Sequence, residues 1–134
     1  MRLGVVGTGL IGASVALAAR RAGASAVRGW DADPEALATA ADRGAVEPAR
    51  SLGEALAGAD VAVVAVPVAA LPDVVRATLA AAPESCAVTD VGSTKVSVCA
   101  AAATDARFVG GHPICGAETR GPARASADLF EGAT

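Results

Sequence analysis

The chain of 134 residues contains one histidine, His112, in the segment VGGHPICGAETRG from Val109 to Gly121. Histidine as a residue type titrates near neutrality and is the side chain most often used as a general base. The proline that follows pushes position 112 toward extended backbone. The glycine pair Gly110-Gly111 before it leaves room for a ligand. The competing reading is a histidine on a surface loop. A second segment, GVVGTGLIGAS, carries Gly7-x-Gly9-x-x-Gly12 directly after an apolar run and at the start of a helical pattern. In that setting Gly7 permits a tight turn, Gly9 lets the backbone approach a pyrophosphate, and Gly12 lets helix and strand pack closely. The loop Gly7, Thr8, Gly9, Leu10, Ile11, Gly12 is therefore the candidate cofactor-binding segment, with phosphates at the helix N-terminus. Asp31, 24 residues after Gly7, is placed to accept hydrogen bonds from the adenosine ribose hydroxyls. No arginine directly follows it to meet a 2′-phosphate, which favours NAD over NADP.

Most other residues have bland readings that weigh more, and for Lys95 the two readings balance. Asp33 precedes Pro34 and reads as a helix N-cap rather than a second ribose ligand. Trp30 reads as a strand-end core residue rather than an adenine contact. Cys115 lies three residues after His112, but two ligands do not make a metal site. It reads as a packed thiol, and no metal is expected. Lys95 either attracts an anionic substrate or is a solvated residue in a first helical turn. Arg120 and Arg124 read as solvated surface charge rather than as partners of substrate carboxylates.

These residues need a scaffold, and the chain alternates short apolar runs with alanine-rich amphipathic segments. Strands are expected at Arg2 to Val6, Ala26 to Trp30, about Ala45 to Glu47, Asp60 to Pro67, Cys86 to Asp90 and Arg107 to Val109. Helices are expected from about Leu10 to Ala22, after Asp33 to Gly44, after Ser51, from about Ala69 to Ala82, and from VGSTK to about Ala103. Ser51 with Glu54 three residues on forms a capping box. The nearly all-apolar DVAVVAVP fits a strand covered on both faces. The expected fold is α/β, a single Rossmann-type domain with a doubly wound parallel sheet in the order 3-2-1-4-5-6. Such sheets bind ligands at the carboxyl ends of their strands. That edge carries Val66-Pro67, Asp90 to Lys95 and Gly110 to Glu118.

Composition narrows the class further. Hydrophobic residues make up 53% and aromatics 2%, so the core is built from Ala, Val and Leu. The net charge of −3, without a basic run, gives nucleic-acid binding no support. Three unpaired, scattered cysteines fit reduced thiols and a cytoplasmic location. The apolar N-terminus imitates a signal peptide, but its glycine spacing fits the cofactor loop instead. No apolar run reaches the length needed to span a bilayer, so no membrane partner is expected.

Taken together, GLIGAS, VAVPV, DVGSTK, FVGGHPICGAETRG and ADLFEGA resemble the N-terminal domain of prephenate or arogenate dehydrogenases, oxidoreductases of tyrosine biosynthesis. The resemblance covers essentially the whole chain. It implies that His112 is the catalytic base, accepting the proton of the substrate's ring hydroxyl while hydride passes to NAD⁺. Ser93 corresponds to a serine that hydrogen-bonds near the reacting hydroxyl and the histidine. Glu118 matches an acid at the edge of the active site, so Ser93 and Glu118 are the candidate substrate contacts. Val66 and Pro67 match a turn that lines the cofactor. The implied substrate is a small molecule, prephenate or arogenate. Ala117 stands where the family usually has serine or threonine. The family continues into a helical C-terminal domain with dimer contacts and a substrate-binding arginine, absent from this sequence. The chain is therefore expected to be the cofactor-binding half of a homodimeric enzyme and inactive alone. Two other readings stay open: a Rossmann module that holds NAD without turnover, and a 3-hydroxyacid dehydrogenase-type domain, against which a base in GGHP argues.

Overall fold

Among the described residues, six parallel strands form one sheet in the order β3-β2-β1-β4-β5-β6. They are β1 (Arg2–Val6), β2 (Ala26–Trp30), β3 (Glu47–Pro48), β4 (Val61–Val64), β5 (Ala87–Asp90) and β6 (Phe108–Val109). Five helices connect them: α1 (Leu10–Arg21), α2 (Pro34–Asp42), α3 (Leu52–Leu56), α4 (Leu71–Ala81) and α5 (Val96–Ala102). Two 3₁₀ turns, Pro122–Arg124 and Ala127–Phe130, follow β6. The computed structural model describes residues 1–115 and 120–133. The strand order is the doubly wound one expected from the sequence, and it reverses direction between β1 and β4.

The sheet separates two apolar layers. On one face Leu3, Val5 and Val63 pack with Ala13, Ala16, Val27 and Ala40 against α1 and α2. On the other Val6, Ala62, Val64 and Val88 pack with Leu56, Leu71, Val75, Leu79 and Val98 against α3, α4 and α5. Alternate residues of β1 and β4 thus face opposite layers, as a pleated strand requires. Each fully buried Val or Leu contributes about 1.5–3 kcal/mol relative to exposure.

Capping fixes the helix boundaries. The Asp33 carboxylate accepts from the Glu35 N–H at 2.9 Å, and the Ser51 hydroxyl accepts from the Glu54 N–H at 3.2 Å. The reciprocal arm of the α3 box is displaced by one residue, since Glu54 accepts from the Arg50 N–H at 2.8 Å. Helices α1 and α2 both close with Schellman pairs. Gly23 N–H donates to Arg20 and Ala24 N–H to Ala19; Gly44 N–H donates to Ala41 and Ala45 N–H to Ala40. That second closure uses the Ala45 backbone, so β3 begins two residues later than the apolar pattern suggests. Similarly β4 stops at Val64, because Ala65 to Pro67 turn away over the glycine loop. The 3₁₀ turns are fastened back onto α1 and α2. Ser126 N–H donates to Ser14 Oγ at 3.0 Å, and the Arg43 guanidinium donates to the carbonyls of Ala123 and Ala125 at 2.9 and 2.8 Å.

At the amino edge, Arg107 donates to the carbonyls of Leu79, Ala82 and Pro83 at the end of α4 and pairs with Asp105 at 2.7 Å. These bonds satisfy carbonyls that α4 itself leaves open. The Arg107 guanidinium beside Asp105 holds its carboxyl down at about 2. No described helix is long and apolar enough to cross a membrane.

Candidate active site

The loop from Gly7 to Gly12 joins β1 to α1 and is shaped by backbone contact. Gly7 has φ +89, and a Cβ there would lie 2.6 Å from the Ala65 carbonyl oxygen. A Cβ on Gly12 would lie 1.9 Å from the Gly7 carbonyl oxygen. Neither position has room for a side chain, and Gly7 adopts a conformation that L-residues rarely hold. Gly9, by contrast, has nothing within 4 Å of an added Cβ. It is the N-cap of α1 and makes no side-chain cap bond. Leu10, Ile11 and Gly12 form the first helical turn, whose N–H groups lack intrahelical acceptors. This open, uncapped helix start fits a dinucleotide phosphate, which would take those donors and sit at the positive end of the helix dipole.

Asp31 ends the run of β2 into the same edge. Its Oδ2 accepts from the Thr8 N–H at 2.6 Å and from the Thr8 hydroxyl at 3.0 Å. Its Oδ1 accepts from the Asp33 N–H at 2.9 Å. Thr8 is fully buried, so its side chain fixes Asp31 instead of facing the open loop. Asp31 itself is half-buried and keeps lone pairs for further donors. Val66 and Pro67 follow β4. Val66 packs over Gly7, with its Cγ1 2.9 Å from where a Gly7 Cβ would be.

Ser93 and His112 lie on the next two loops of that edge, after β5 and β6, and both are exposed. The residue that connects these loops is Asp90, which the sequence reading did not single out. It ends β5 and is 1% exposed. Its Oδ2 accepts from the Gly92 N–H at 2.8 Å and from Lys95 Nζ, and its Oδ1 accepts from the Gly111 N–H at 3.2 Å. Lys95 is thus an ion-pair partner within the site's own framework. An acid at the carboxyl end of a buried parallel strand, with a lysine five residues on, was the available signal. His112 also lines an open cleft of about 470 Å³ with Thr89, Asp90, Gly111 and Pro113, on the α1 face of the sheet. A cleft of about 480 Å³ adjoins it along α1 and β4, lined by apolar side chains that include Met1 and Phe130 and by no candidate residue.

Burial pushes the Cys115 thiol up, away from the thiolate a nucleophile needs. Among the described residues no group of three or more His, Cys, Asp or Glu side chains could hold a metal ion. Arg120 and Arg124 are exposed. Glu118, and Ala117 before it, lie outside the described residues.

The family profile described as "Prephenate dehydrogenase, nucleotide-binding domain" matches residues 15–134. The match begins after Gly12, so the glycine loop is an observation independent of it. A prephenate dehydrogenase of Lactococcus lactis subsp. cremoris is 31% identical over 137 residues, covering 96% of this chain and 38% of the relative. The crystal structure of Synechocystis arogenate dehydrogenase superposes with a TM-score of 0.91 at 31% identity, covering 99% of this chain and 48% of that one. The prephenate dehydrogenase of Aquifex aeolicus, solved with hydroxyphenyl propionate and NAD⁺, gives 0.89 at 31% identity over the same shares. The chain therefore spans about half the length of these solved structures.

Proposed function

This chain belongs to the prephenate dehydrogenase family, as its nucleotide-binding domain, and from that premise we propose that it binds NAD and carries part of the catalytic site for oxidative decarboxylation of prephenate or arogenate. One observation carries the reading: the loops of Ser93 and His112 are tied together through Asp90 on the sheet edge where the uncapped start of α1 also opens. NAD⁺, when bound, supplies the hydride acceptor.

The chain's own residues do the rest. Leu10, Ile11 and Gly12 donate backbone N–H groups to the pyrophosphate, with Gly7, Thr8 and Gly9 setting the turn. Asp31 accepts from the adenosine ribose hydroxyls, held in place by Thr8. Val66 and Pro67 wall the cofactor side. His112 takes the proton of the ring hydroxyl at an imidazole nitrogen, and Ser93 hydrogen-bonds the same hydroxyl. Glu118 borders the substrate. Loss of the ring carboxylate then yields an aromatic ring, which drives the reaction forward. Prephenate would give 4-hydroxyphenylpyruvate, and arogenate would give tyrosine.

Because the chain spans about half its solved relatives, the 134 residues alone are expected to bind NAD and to turn over little. Titrating NAD against the fluorescence of Trp30, the one tryptophan, tests binding. NADH formation from prephenate and from arogenate tests turnover. Absence of NAD binding would overturn the cofactor reading, and ordinary turnover by the isolated chain would overturn the half-enzyme reading.

A further inference from the structure

We infer that Asp90 is a positioning residue, whose single buried carboxylate sets the spacing between the loops that carry Ser93 and His112. The inference rests on the roles proposed above for those two residues. A carboxylate that is 1% exposed is costly unless fully partnered. The partners named for Asp90 all come from the two loops: Gly92 and Lys95 flank Ser93, and Gly111 precedes His112. The two oxygens divide the work. Oδ2 holds the β5 loop and Oδ1 holds the β6 loop, across 21 positions of sequence. Both loops come too close for a side chain at the bonded residue. A Cβ on Gly92 would lie 2.2 Å from Leu71 Cδ1 and 3.0 Å from Asp90 Oδ2. On Gly111 it would lie 2.6 Å from the Asp90 carbonyl oxygen. The backbone beside each candidate catalytic residue is thereby pinned to one rigid strand end, and neither Ser93 nor His112 touches the carboxylate through its own side chain in these bonds.

Asparagine is the informative replacement. It keeps the size of aspartate but has one accepting oxygen and one donating NH₂. Whichever way it turns, the NH₂ meets an N–H or the Lys95 ammonium, so one loop is released. Lys95 is partly exposed and can turn to solvent.

The test uses the active enzyme of which this chain is the nucleotide-binding domain. Asp90→Asn is expected to lower kcat by about 10–100-fold while leaving the Kd for NAD within about twofold, since misplacing a catalytic group by an ångström has costs of that order. A merely structural role would weaken NAD binding and turnover together. In a His112→Asn background the same substitution is expected to lose most of its effect, because residues acting as a unit are not additive. Unchanged kcat, or a full further loss on top of His112→Asn, overturns the inference. Should His112→Asn itself leave turnover intact, it is the proposed function that fails. If Asp90→Asn does not fold, Gly111→Ala decides: it forces the β6 loop off Asp90 while leaving the carboxylate bonded to Gly92 and Lys95. The same loss of kcat with NAD binding retained supports the inference, and wild-type turnover overturns it.

Discussion

At the β1–α1 turn glycines pack backbone on backbone and Asp31 ties one amide, whereas the β5 and β6 loops, also close-packed at Gly111, are joined to each other through one side chain. The first region is fixed by Gly7 against Ala65 and Gly12 against Gly7. The second is fixed by Asp90, through Gly92, Lys95 and Gly111. Close backbone contact demands glycine at particular spacings, so the cradle announces itself in the sequence. A buried carboxylate that reaches a loop 21 positions away leaves no such spacing. The cradle is also uncapped, while α2 and α3 have side-chain caps. Helices α4 and α5 also start without side-chain caps, so it is the glycine turn, and not the missing cap alone, that sets the start of α1 apart.

Breaking the first region should cost both fold and binding. Gly12→Ala places a Cβ 1.9 Å from the Gly7 carbonyl. It is expected to destabilise the domain by about 3 kcal/mol, at the upper end of overpacking penalties, and to abolish NAD binding. Urea unfolding and Trp30 titration read the two effects, and a wild-type unfolding midpoint would show that the turn yields. Asp31→Ala separates the two effects further. It removes an acceptor from Thr8 and, in the proposed complex, from the ribose. NAD affinity should fall by about 1.5–3 kcal/mol, the range for hydrogen bonds to a charged group. Unchanged affinity would refute the ribose role.

The smallest effect is expected at the opposite edge of the sheet. Asp105 is bonded to Arg107 far from either loop, and its carboxyl is held at about 2, below its ordinary 3.8. A depressed carboxyl contributes stability that is present above its unfolded value and lost as pH falls through the folded one. Acid unfolding should therefore steepen between about 4 and about 2, and Asp105→Asn should flatten that window. NAD binding at neutral pH should not change. A flat wild-type profile, or altered NAD binding in the variant, would contradict this.

Much of the fold is legible in the sequence because its signals are local. Asp33 and Ser51 cap the helices they precede, Gly23 and Gly44 close the helices they follow, and the β4 run is apolar because both faces are covered. The errors fall where a local pattern competes with a tertiary one. Ala45 and Val46 look like strand residues but are used to close α2 and to pack beneath it. Val66 and Pro67 continue the apolar run of β4 but bend over Gly7. Within the site, Gly7, Gly12 and His112 were legible from motif and topology. The turning of Thr8 onto Asp31 and the pairing of Lys95 with Asp90 were not, since each depends on which side chain meets it across the sheet edge.

In the proposed function His112 acts as the base beside a cofactor held by the glycine loop. The direct measurement is NADH formation by the active enzyme with and without His112→Asn, alongside the Kd for NAD. A fall in kcat of about 10²–10⁴-fold is expected, the usual contribution of general-base catalysis, with NAD binding unchanged. Turnover that survives His112→Asn at the wild-type rate would contradict it.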